Sequence, residues 1–106
     1  MENKEPISVY NDIEEEMIKA HHVERGQLFG KKCLKYEGRA FAAFFQDDMV
    51  FKLKGHVHKQ ALKLEESKLW DPSGKNIPMK DWIQVGNKHM SDWRQLANYA
   101  IQALGE

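Results

Sequence analysis

One cysteine, three prolines and no apolar run longer than Ala40 to Phe45 set the first limits on this 106-residue chain. A membrane-spanning helix needs about 20 apolar residues and a secretory signal core about 7 to 15, so the sequence predicts no membrane segment. Cys33 has no second cysteine to pair with, and a lone thiol alongside five methionines suits a reducing interior; the expected location is cytoplasmic. Charge of one sign is also missing in excess. Sixteen basic and sixteen acidic side chains cancel, which removes the uniform positive field of many nucleic-acid binders. No repeat, linker or low-complexity tract interrupts the chain.

What is present is enough to build a core. The sequence is 42% hydrophobic and holds three Trp, five Phe and three Tyr, so burial can offset the entropy of ordering the backbone. The length suits one domain over residues 1–106. Charge is uneven along it: residues 1–24 sum to −5 and residues 25–63 to +6. Either this asymmetry is a binding dipole, or an acidic first helix lies against the basic segment and neutralises it.

Val9, Ile13, Met17 and Ala20 recur at helical spacing, with Ser8 or Asn11 as N-cap and Gly26 as the break. Short apolar and aromatic runs follow, separated by turn signals at Gly30, Glu37-Gly38 and Asp47-Asp48. Leu28-Phe29, Cys33 to Tyr36, Arg39 to Phe45 and Met49 to Leu53 therefore read as an antiparallel meander, because the connections are too short for crossover helices. Ala40 to Phe45, apolar on both faces, belongs at its centre. Val57, Ala61 and Leu64 predict a second helix ending near Ser67. A hairpin straddles Asp71-Pro72-Ser73-Gly74-Lys75 and returns along Trp82 to Val85 behind Pro78. Ser91 as N-cap, the stripe Trp93, Leu96, Ala97, Ala100, Ile101 and Leu104, and Gly105 as stop define a last helix. The order α-β(3–4)-α-β(2)-α predicts an α+β two-layer sandwich, with an antiparallel sheet of about five strands and helices on one face.

Several of these residues carry a family pattern. Arg25 with Leu28-Phe29-Gly30 resembles the Arg-rich Met-Phe-Gly signature of the TfoX/Sxy N-terminal domain. Leu34 to Gly38 is similar to its strand ending in an acidic-Gly turn, Arg39-Ala40-Phe41-Ala42 to its Met-Phe-Ala strand, and Asp48 with Met49 to Leu53 to its Asp-then-Leu-Lys strand. Leu69-Trp70 stands in the place of its Pro-Phe pair, while Met79 to Val85 looks like the Lys-x-Trp-x-x-Val strand of related YjbR-like domains. The resemblance runs over nearly the whole chain from about Ile13, through short, mostly hydrophobic signatures that speak to fold more than to reaction. It implies a regulatory role of the kind TfoX proteins have in competence gene expression, or the DNA binding proposed for YjbR-like domains.

Candidates for chemistry are sparse. His56 and His58, with Asp47 or Asp48, could supply three metal ligands only if they shared a strand face; on a helix from Gly55 the rings diverge and both are surface histidines. His21-His22 complements a helix C-terminus. Cys33 could act as a nucleophile only with a base beside it and with Lys31, Lys32 or Lys35 stabilising a thiolate; otherwise it is a small buried hydrophobe. Asp47 and Asp48 are adjacent and point apart, and Gly26 to Gly30 lacks the third glycine and Lys-Ser/Thr ending of a phosphate loop. Trp70, Trp82 and Trp93 read as core or interface anchors.

Lys31, Lys32, Lys35, Arg39, Lys52 and Lys54, interleaved with Phe29, Tyr36 and Phe51 and preceded by Arg25, form the only basic and aromatic mixture. Strand alternation would set several of these charges on an uncovered sheet face, for phosphate contacts or to keep an edge soluble. The expected function is a non-enzymatic regulatory or protein-interaction domain of the TfoX N-terminal type. It is a candidate homodimer and requires no cofactor. Nucleic-acid binding by the basic strands 31–54 is the alternative, and an enzyme acting through Cys33 or His56 and His58 comes third.

Overall fold

A computed structural model describes residues 5–105. The elements are α1 (Pro6–His21), β1 (Glu24–Leu28), β2 (Lys31–Tyr36), β3 (Arg39–Phe45), β4 (Asp48–Lys52), α2 (Gly55–Leu62), β5 (Lys68–Trp70), β6 (Met79–Val85) and α3 (Met90–Leu104). The strands form one antiparallel sheet in the order β1-β2-β3-β4-β6-β5. This is the expected α+β architecture with six strands where about five were predicted. Among the described residues no helix is long and apolar enough to cross a membrane.

Local differences from the sequence reading have simple causes. Pro6, whose ring presets a helical φ and whose missing N–H costs nothing in the first turn, starts α1 ahead of Ser8 and Asn11. His22 in the left-handed region ends it, its N–H donating to the Ile18 carbonyl, so Gly26 lies inside β1 and breaks nothing. Phe29-Gly30, Glu37-Gly38 and Gln46-Asp47 each have two consecutive positive φ values and join strands through two residues. Such turns follow the right-handed twist of a hairpin, which makes Phe29 a turn residue and Asp48 the first residue of β4. Helix α2 stops at Leu62 and not near Ser67, and α3 begins at Met90 behind a single 3-10 turn, Asn87–His89, and not at a Ser91 cap.

Two cores lie on opposite faces of the sheet. On one face, Tyr10, Ile13 and Met17 of α1 and Trp93, Leu96 and Ala97 of α3 pack over Leu34, Phe41, Met49, Phe51 and Ile83. On the other, Cys33, Ala43, Phe45, Val50, Trp70 and Trp82 pack among themselves without a helix. β3 meets both, as its apolar run requires. Leu34 pairs with Ala42 and Lys35 with Ala40, leaving Phe41 as an extra residue; this bulge turns Phe41 and Ala42 toward the same, helix-side core.

The helix-free face is concave, and Trp70 is its pillar. The Trp70 ring lies 5.6 Å from Phe45, 5.3 Å from Trp82 and 5.9 Å from Phe29, centroid to centroid. Trp70 is on the edge strand β5, three strands from Phe45 and at the opposite end of the sheet from the Phe29 turn. In a flat sheet three strand spacings amount to about 14 Å, so these contacts require the sheet to curl around the indole.

Trp70→Ala should lower unfolding free energy by about 3–5 kcal/mol, measured by urea titration, because curvature prevents the cavity from collapsing. Burial and the adjacent Glu14 carboxylate raise the Tyr10 phenol far above its ordinary value. Below about pH 10 both folded and unfolded chains keep that proton; above it the unfolded chain ionises first and stability falls. Tyr10→Phe should flatten that alkaline loss in a stability series from pH 8 to 11.

Candidate functional site

The concave face collects part of the basic group. Lys31 is in register with Leu28, and its Nζ stands 5.7 Å over the Phe45 ring. The Lys35 stem runs diagonally over Gly26, where an added Cβ would come 2.9 Å from the lysine Cε; the missing side chain leaves a channel for it. Lys52 pairs with Trp82 and therefore shares the face of the aromatic cluster. None of these three ammonium groups has a carboxylate within ion-pair distance among the described residues. At the Lys31 end Phe29, held in the left-handed region and edge-on to Trp70, is 60% exposed.

The other predicted residues part from this group. Arg25 is in register with Leu34 on the helix side, and its Nε donates to the Glu14 carboxylate on α1 at 2.8 Å. This contact is the internal neutralisation of the acidic helix by the basic segment, at one point. Arg39 donates from Nη2 to the Leu104 carbonyl at 2.8 Å and satisfies the C-terminal end of α3. Both arginines are structural ties. Lys32 is exposed and in register with Gln27, on the side of β2 opposite Lys31, and Lys54 is exposed at the entry to α2. Alternation along β2 separates Lys31 and Lys35 from Lys32, but the ties of Arg25 and Arg39 depend on where α1 and the end of α3 lie, which leaves no local mark in the sequence.

The metal and nucleophile candidates do not assemble. His56 and His58 are on α2, and His58 Nε2 bonds the Lys80 carbonyl at 2.7 Å. Asp48 is occupied by the Gln84 amide at 2.9 Å and the Asn87 backbone N–H at 3.0 Å, pinning β4 to β6 and the following turn. No three His, Cys, Asp or Glu side chains gather at metal-binding distance among the described residues. Burial pushes the Cys33 thiol up despite Lys35, so a thiolate is disfavoured.

A feature with no signal in the sequence beyond its turn residues is a groove of about 800 Å³ at the β5 edge, lined by Phe45, Leu62, Lys68, Leu69 and Gln84 and walled by residues 71–78. Asp71 organises that wall, accepting from the Ser73 hydroxyl at 2.7 Å and from the backbone N–H groups of Gly74, Asn76 and Ile77. These donors, the Ser73 hydroxyl first, hold the Asp71 carboxyl below its usual range.

No protein-family model, curated protein or solved structure matches this chain. The likeness to the TfoX/Sxy N-terminal domain rests on the residues quoted for it alone. Arg25→Met should cost about 1–3 kcal/mol in a denaturant titration, because it leaves the buried Glu14 carboxylate without its partner.

Proposed function

We propose that this chain is a non-enzymatic regulatory interaction domain of the TfoX N-terminal type, engaging a protein partner or a second copy through the concave sheet face. One observation carries the reading: Lys31, Lys35 and Lys52, without a carboxylate partner among the described residues, share the face of the aromatic cluster, and Phe29 projects at its Lys31 end. Arg25, Arg39, Lys88 and Arg94, by contrast, each reach a carboxylate or a helix-end carbonyl. Aromatic residues that stay exposed next to charge are the usual anchors of an interface, while the surrounding polar rim sets orientation. In sedimentation velocity and in capture from a native lysate, the wild type should form a dimer or retain a specific partner that Phe29→Ala with Lys31→Glu loses. A strict monomer that recovers nothing beyond what the variant recovers speaks against this reading.

A nucleic-acid partner is the second reading, favoured by the placement of three lysines on one face. Phosphate contacts by Lys31, Lys35 and Lys52 would make binding fall steeply with salt. Retention of DNA at about 50 mM salt should weaken in the Lys31→Glu, Lys35→Glu variant and vanish as salt rises. No retention by the wild type under that condition ends the nucleic-acid reading.

A further inference from the structure

Among the described residues the sheet has two unpaired edges, β1 and β5, and of these β5 is flanked by the groove of about 800 Å³. The groove walls come from both faces of the sheet at once. Lys68 pairs with Gln84, and both line the groove with Phe45 from the concave side. Leu69, the next residue of β5, points to the helix side, where Leu62 at the end of α2 is 38% exposed. Successive strand residues alternate between faces, so a space bounded by Lys68 and Leu69 together lies alongside the strand edge. An occupant of that space lies against Lys68 and Leu69, one charged and one apolar wall. The outer wall is held in place by Asp71, whose carboxylate is taken up by its own loop, whereas Lys68 has no carboxylate within ion-pair distance among the described residues.

We propose that the β5 edge binds an extended segment of a partner protein as a seventh strand, with alternating apolar and acidic side chains. Main-chain hydrogen bonds to the unpaired edge supply affinity in strand addition, and side-chain walls of period two supply specificity. Here the apolar side chain seats against Leu62 and Leu69, and the acidic one meets Lys68. The site is separate from the Phe29 face, so either can fail without the other.

The test is an amide-resolved NMR titration of the full chain with two octapeptides of identical composition, one alternating Val and Glu, the other carrying them in pairs. The alternating peptide should bind at least about tenfold tighter, a difference of about 1.4 kcal/mol, and move the amides of Ser67 to Trp70. Lys68 is exposed, so Lys68→Glu keeps the fold; it should lose the Val/Glu peptide by a similar factor and gain one alternating Val and Lys. Equal binding of the two octapeptides, an unchanged preference in Lys68→Glu, or no saturation by about 1 mM overturns the proposal. Shifts confined to Phe29 through Lys35 overturn it as well, while supporting the concave-face reading.

Discussion

The contact of Trp70 with Phe29 and Phe45 is the constraint on which the rest of the molecule depends. Residues from both ends and the middle of a six-stranded sheet meet at one indole, which is possible only if the sheet curls. The curl defines the concave face, buries Cys33 and Val50 without a helix over them, and leaves the β5 edge standing clear with its loop beside it. The bulges at Phe41 and between Leu69 and Trp70 supply the backbone irregularity that such curvature needs.

Around that frame the charges divide into two kinds. Arg25 and Arg39 tie the sheet to α1 and to the end of α3, and Arg94 joins α3 back to Glu16 of α1. These links hold the helical layer in position over the sheet. Lys31, Lys35, Lys52 and Lys68 perform no such task among the described residues; the Lys31 ammonium stands over the Phe45 ring and the Lys35 stem runs over Gly26. A balanced total charge thus conceals two groups of cations, arginines that tie the helices to the sheet and to each other, and lysines on the helix-free face without a carboxylate partner among the described residues.

Much of the fold was legible because it follows from periodicity and turn chemistry. The stripe from Trp93 to Leu104 and the doubly apolar run Ala40 to Phe45 each imply one kind of element. The short Gly-containing connections imply an antiparallel meander. β1 was missed in large part because Glu24-Arg25-Gly26-Gln27 carries no alternation; it is an edge strand and buries little. The candidate site was legible in its composition and in the alternation that sets Lys31 and Lys35 on one face of β2. The roles of Arg25 and Arg39 depend on where α1 and the end of α3 lie in space, which leaves no local mark. The groove at β5 arises from curvature, a property of the whole sheet.

The most direct test of this account is the Phe29 to Trp70 contact in solution. Nuclear Overhauser effects between the Phe29 ring and the Trp70 indole, with Trp70 shielded from acrylamide quenching, are the predicted result. Absence of those effects together with a quenchable Trp70 would contradict the curled sheet, and with it the concave face and the groove at its edge.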